Sequence, residues 1–188
     1  RLWDIANTIR LSELGAPPLF GVATDDSHHY HGKGGSRTGR GWIQVQSRYL
    51  SPEHIIRGIK AGDFYASSGV ELKEVSHDAV ENVLALRIDA KPGVLYTTRF
   101  IGTVKDHSMT VLPENQEEGE PSSKHRYSSR AIGKVLATAT GETPRYRLTG
   151  SELYVRAVVI ADQDHPDPSF KGQQQQAWTQ PIGWRAHQ

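Results

Sequence analysis

Two adjacent carboxylates, Asp25 and Asp26, stand just ahead of His28, His29 and His31 in the stretch Gly21–His31 (GVATDDSHHYH). Three of the chain's nine histidines thus fall within four positions. Carboxylate oxygen and neutral imidazole nitrogen together suit zinc, manganese or iron. Asp26 and His28 are two apart, so an extended backbone places both side chains on one face. The apolar run before them (Phe20, Val22, Ala23) reads as a strand whose C-terminal loop carries the chemistry. A solvated polar loop is the plain alternative, because D-x-H is a short pattern.

The neighbours of this pair are candidates of a second kind. Asp25 could hydrogen-bond a ligand histidine, or be a turn or cap aspartate. His29 and His31 could bind substrate, complete a makeshift site with His28, or be solvated. Lys33, Arg37 and Arg40 could meet a substrate phosphate through charge-assisted hydrogen bonds, or belong to a surface loop. The glycines of HGKGGSRTGRG allow backbone amides to approach a ligand closely. The pattern G-x-x-x-x-G-K-[ST] is absent, which argues against a nucleotide P-loop. His54 is expected to be exposed, Trp42, Phe64 and Tyr65 are expected in the core, and His77, His107, His125, His165 and His187 carry no assigned role. No residue is singled out as a catalytic acid or base.

The bulk numbers limit the classes. A length of 188 residues allows one large domain or two small ones with a substantial core. A net charge of +1 gives no electrostatic argument for nucleic acid or an anionic membrane. No apolar run approaches the length of a membrane-spanning helix. The chain has no cysteine, so a metal here has only nitrogen and oxygen ligands to draw on.

The elements that must position these residues fall into two groups. Leu2, Ile5, Ala6, Ile9 and Glu13–Leu14 follow helical spacing that ends at Gly15, with Pro17–Pro18 beyond. Leu19–Thr24 is mostly apolar, the pattern of a parallel strand covered on both faces, and Trp42–Gln46 is a second strand. Ser51–Gly62 is the best-marked helix: Ser51 as N-cap, Pro52 at its first position, Gly62 closing it, and Ile55, Ile56, Ile59 and Ala61 as its stripe. Asp63–Ser67 follows as a strand. Beyond Val70 come β-rich runs over Glu81–Ala90, Val94–Val104, Ile132–Thr140, Arg145–Leu148, Glu152–Ala161 and Gln176–Trp184, the last with Pro181 favouring a sheet edge. Short strands at this spacing predict a β-sandwich of immunoglobulin-like size. Asn115–Arg130 and Asp162–Gln175 read as polar loops or disordered insertions. The boundary between the two groups is placed near Gly69, giving units 1–69 and 70–188.

The stretch Trp3–Leu72, with a Gly-closed helix, then GVATDDSHHYH, then GRGWIQVQSRYLSPEHIIRGIKAGDFYASSGVEL, resembles the last part of a PHP (polymerase and histidinol phosphatase) domain of the CehA/McbA-like metallohydrolase kind. The segment Gly58–Gly69 matches the run that closes that family's barrel, and Ala177–Pro181 (AWTQP) resembles a segment that follows it. The resemblance implies an α+β chain: the C-terminal remnant of a distorted (β/α)7 barrel, then an immunoglobulin-like antiparallel β-sandwich. It implies Asp26 and His28 as ligands of a divalent metal, while Asp25, His29, His31 and Arg40 stay the possible supporting or substrate-contacting residues read from the loop itself. It further implies hydrolysis of a small ester, phosphoester or carbamate by metal-activated water. The family's earlier ligand motifs, H-x-H among them, have no counterpart here. The chain therefore reads as the C-terminal portion of a hydrolase, inactive alone, whose partner is an upstream segment or a second copy. Neither nucleic acid nor a membrane span is expected, and the reading leans towards an exported protein. The rival reading is a non-catalytic β-sandwich module that binds a ligand or a protein.

Overall fold

The structure, a computed structural model, describes residues 1–31, 35, 37–107, 111–113, 125–127 and 131–187. Among the described residues two helices, α1 (Leu2–Ser12) and α2 (Pro52–Ala61), accompany eleven strands. In chain order the strands are β1 (Trp42–Val45), β2 (Phe64–Ser67), β3 (Leu72–Asp78), β4 (Val83–Ile88), β5 (Tyr96–Val104) and β6 (Val111–Pro113). They continue as β7 (His125–Tyr127), β8 (Lys134–Thr140), β9 (Arg145–Arg147), β10 (Glu152–Asp164) and β11 (Gln174–Thr179), before a short 3-10 turn at Trp184–His187. A six-stranded sheet runs β1-β2-β11-β10-β5-β8, a three-stranded sheet runs β3-β4-β9, and β6 pairs with β7. Every strand pairing is antiparallel.

This is a β-sandwich-like fold, and it overturns the expected α+β architecture: no (β/α) barrel remnant is present among the described residues. The β1–α2–β2 order reads as a parallel crossover in sequence, yet Val45 faces Phe64 and Trp42 faces Ser67 in antiparallel register. The ladder continues one bond further, from the Gln46 amide to the Asp63 carbonyl at 2.8 Å. Helix α2 is thus an excursion at the tip of a hairpin. It packs on β1 through Gly58, where an added Cβ would lie 2.9 Å from the Gln46 carbonyl oxygen. The predicted caps hold: Ser51 is the N-cap and Gly62 adopts φ 81.

The core lies between the two larger sheets. Leu84, Leu86 and Ile88 of β4 face Phe100 of β5 and Val155, Ala157, Val159 and Ala161 of β10. Odd-numbered residues of β10 therefore enter the sandwich, and Tyr154 and Arg156 emerge on the opposite face. That second face is covered by α1. The sheet is buried on both sides there, which explains why β10 is buried almost continuously from Glu152 to Ala161 instead of alternating.

Further details differ from the sequence-based expectation. The apolar spacing of α1 predicts Leu2 and Ile9 as its docking face, but its buried residues are Asp4, Asn7 and Thr8, and Leu2 is exposed. Leu19–Thr24 is extended but belongs to no sheet. Strand β3 is hidden by its polarity (LKEVSHD), since among the described residues it pairs only with β4 and leaves most of its side chains in water. Pro181 marks no sheet edge. Strand β11 is interior, between β2 and β10, and Pro181 lies just beyond its end, where a missing N–H breaks no ladder bond. The polar run Asp162–Gln175 belongs in part to β10 and β11, while most of Asn115–Arg130 lies outside the described residues.

Candidate functional site

The segment leading to Asp26 is held by side chains in place of strand neighbours. The Asn7 amide accepts from the Leu19 N–H at 2.7 Å and donates to the Leu19 carbonyl at 3.2 Å. Trp3 Nε1 donates to that carbonyl as well, at 2.8 Å. Two residues on, the Gln180 amide does the same for Gly21, accepting its N–H and donating to its carbonyl, both at 2.8 Å. A primary amide carries one donor edge and one acceptor edge, like a peptide group, so each substitutes for one rung of a ladder. Gly21 is also pressed on the Trp3 ring, at 2.9 Å from an added Cβ. The predicted strand thus becomes a strap across the α1 side of the sandwich.

Along the strap exposure alternates. Val22, Thr24, Asp26 and His28 face water, and Ala23, Asp25 and Ser27 are half-buried. Asp26 and His28 therefore share the exposed side, as their spacing suggests. Their side chains are 88% and 70% exposed. Asp26 sits at φ 49, a left-handed conformation that aspartate tolerates better than most residues. The turn it makes brings its own carbonyl oxygen 2.7 Å from His28 Nδ1. A carbonyl can only accept, so Nδ1 carries the proton and, in the neutral ring, Nε2 carries the free lone pair. His28 Nδ1 also lies 4.0 Å from an Asp26 carboxylate oxygen.

Asp25 turns inward and does not reach His28. Its two carboxylate oxygens accept the N–H groups of Gly39 and Gly41 at 2.7 and 2.6 Å, closing the polar loop onto its own start. The backbone of His29 bridges that of Arg37, and the His29 ring packs over Gly35. His31 is exposed, and Lys33 lies outside the described residues. His54 is half-buried where exposure was expected, edge-on to Tyr49 at 4.9 Å and hydrogen-bonded to Ser51 Oγ at 2.9 Å.

Arg40, a candidate substrate contact, is already engaged. Its Nε and a terminal nitrogen donate to the two carboxylate oxygens of Asp167 at 3.0 and 3.1 Å, and Arg37 donates to the same carboxylate. These hydrogen bonds from Arg40, with the charge of both guanidinium groups, hold the Asp167 carboxyl below the usual carboxylate range. His165, 4% exposed, donates from Nε2 to the Arg40 carbonyl at 3.2 Å and accepts the Asp167 N–H on Nδ1 at 3.1 Å. Reading the sequence alone missed His165 and Asp167 because they lie in a polar stretch far from the D-x-H motif. The one available signal was the HPDP run, whose two prolines stiffen a turn.

Chemically, Asp26 and His28 offer one oxygen and one oriented nitrogen to water. Among the described residues no group of three or more His, Asp or Glu side chains is arranged to hold a metal ion. The donor types and the ring orientation fit a divalent cation; the number of donors falls short of the four typical of zinc. A separate groove of about 1120 Å3 runs along β3, lined by residues including Tyr65, Glu71, Lys73, His77, Gln180 and Trp184, and none of Asp25–His31 lines it. Comparison with protein-family profiles, with curated proteins and with solved structures finds no match to this chain.

Proposed function

We propose that this chain belongs to a divalent-metal-dependent hydrolase related to the PHP-type, CehA/McbA-like enzymes, and that it contributes Asp26 and His28 as metal ligands. The observation that carries the reading is the hydrogen bond from His28 Nδ1 to the Asp26 carbonyl. Fixing one imidazole nitrogen on a backbone carbonyl sets the tautomer that leaves the other as a neutral donor, the usual arrangement of a metal-binding histidine. Zinc, manganese and iron suit this donor pair. The remaining ligands come from outside the pair, and the openness of both side chains leaves room for them. When bound, such an ion supplies a Lewis acid and a water acidic enough to yield hydroxide near neutral pH. The chain's own contribution is positional: Asp25 closes the loop, Asp26 orients the imidazole, and Asn7 and Gln180 hold the strap. The substrate class is a small ester or phosphoester.

The groove along β3 favours a second reading, a non-catalytic β-sandwich module whose ligand sits away from Asp26 and His28. Elemental mass spectrometry on this chain and on a version extended upstream separates the two. Stoichiometric zinc, manganese or iron in the extended form, lost in Asp26→Ala and in His28→Ala, is the expected result. An extended form without metal ends the hydrolase reading and leaves the module reading.

A further inference from the structure

The two ligand residues proposed above lie on the exposed side of a strap, yet the loop behind them is anchored to a part of the chain far away in sequence. Asp25, next to Asp26, holds the amides of Gly39 and Gly41. Between those glycines lies Arg40, whose guanidinium is chelated by Asp167 and whose carbonyl is taken by His165. Arg37 adds a second guanidinium to the same carboxylate, and its backbone is bridged to His29, next to His28. The hairpin loop between β10 and β11 that supplies Asp167 is itself braced: the His165 N–H donates to the Gln173 carbonyl at 2.7 Å, and the Ser169 N–H to Gln173 Oε1 at 2.6 Å. A single carboxylate on a braced hairpin therefore meets both arginines of the loop, and the loop meets the residues on either side of the donor pair. Bidentate guanidinium–carboxylate pairs fix direction as well as distance.

We propose that Asp167 is a positioning residue for Asp26 and His28: it latches Arg37 and Arg40 to the sandwich and so holds the loop that is tied to Asp25 and His29, the residues flanking the two donors. The proposal rests on the metal-ligand reading above. It also removes Arg37 and Arg40 from the list of groups free to meet a substrate, because the latch consumes them.

The test uses Mn2+ as the probe, with the His28 ring Cε1–H signal in the proton NMR spectrum as a local readout and trypsin cleavage after Arg37 and Arg40 as a readout that needs no metal. Asp167→Asn is expected to raise the Mn2+ concentration for half-broadening about tenfold and to speed cleavage about tenfold, without lowering the melting temperature of the sandwich. Arg40→Gln, which breaks the pair from the other side and removes its own cleavage site, is expected to raise the Mn2+ concentration likewise and to speed cleavage after Arg37, and Asp167→Glu to restore both readouts towards wild type. Unchanged cleavage overturns the latch. Faster cleavage with an unchanged Mn2+ response overturns the positioning role, since the loop then opens without disturbing the donors. Failure of the metal reading itself shows elsewhere: wild-type broadening of His28 that persists undiminished in Asp26→Ala removes the ligand pair, and with it the proposal, whatever trypsin reports.

Discussion

Arg156 of β10 grips the Asp4 carboxylate of α1 through two hydrogen bonds of 2.8 and 2.9 Å, with the two side chains 7% and 3% exposed. Tyr154 Oη donates to the same carboxylate at 3.0 Å, and the Trp3 ring lies 4.7 Å from the guanidinium carbon. Thr8 and Thr103 share a buried hydroxyl bond at 2.9 Å one turn further along the helix. The helix whose Trp3 and Asn7 hold the strap is therefore docked by a charged and hydroxylic face. Breaking one partner leaves the other charge buried, and Asp4→Ala is expected to cost about 3–5 kcal/mol in urea unfolding. The double variant Asp4→Leu/Arg156→Met, which removes both charges, is expected to recover most of that loss. A cost below about 1 kcal/mol for Asp4→Ala would mean that α1 docks by other means.

Acid should loosen the same contact. Burial pushes the Asp4 carboxyl up, but the hydrogen bonds and charge of Arg156, with Tyr154, outweigh it and hold the carboxyl below its ordinary value. Glu152 follows the same balance, its burial outweighed by Tyr146 and by the backbone and hydroxyl donors around Thr149. Both groups are more acidic folded than unfolded, so the unfolded chain binds protons first as pH falls. Their contribution is complete above the unfolded carboxylate values near about pH 4 and disappears as pH drops through the lower folded values. Urea midpoints are expected to fall below about pH 4, and to fall less steeply in Asp4→Asn.

Gln180 gives a prediction about the strap. It is 4% exposed and supplies both hydrogen bonds of Gly21. Gln180→Ala leaves a part-buried N–H and C=O without their partner, at a cost of about 1–3 kcal/mol. Hydrogen exchange at the Gly21 amide should accelerate more than exchange within β4. Equal acceleration at both would place the effect in the whole sandwich and not in the strap.

Gly62 joins the cap of α2 to the start of the strap. Its φ is 81, and an added Cβ would come within 2.6 Å of the Phe20 ring. Gly62→Ala is expected to destabilise by about 1–3 kcal/mol, from left-handed strain together with displacement of Phe20. Thermal unfolding checks the magnitude. Relief in the double variant Gly62→Ala/Phe20→Ala would assign part of it to the ring.

Local chemistry made several features legible. Ser51, Pro52 and Gly62 mark the ends of α2 by interactions within a few residues of themselves. The alternation of β4, with Leu84, Leu86 and Ile88 inward, follows from the period of a strand. Asp26 and His28 share a side because they are two apart in a strap of alternating exposure. Each of these depends on near neighbours, which a sequence displays directly.

Tertiary structure alone decided the rest. The apolar spacing of α1 was outvoted by Asp4, Asn7 and Thr8, because Arg156, Leu19 and Thr103 wait across the interface with complementary groups. The β1–α2–β2 order, parallel by habit, became an antiparallel hairpin with a helical tip, since the register of β1 with β2 is set by the pairing itself. The apolar run from Leu19 to Thr24 stayed outside every sheet because Asn7 and Gln180 satisfy the backbone of Leu19 and Gly21. Arg40 met Asp167 across 127 residues of chain. Spacing along the chain specifies which way a side chain points, but the partner that satisfies a backbone group or a buried charge is chosen in three dimensions.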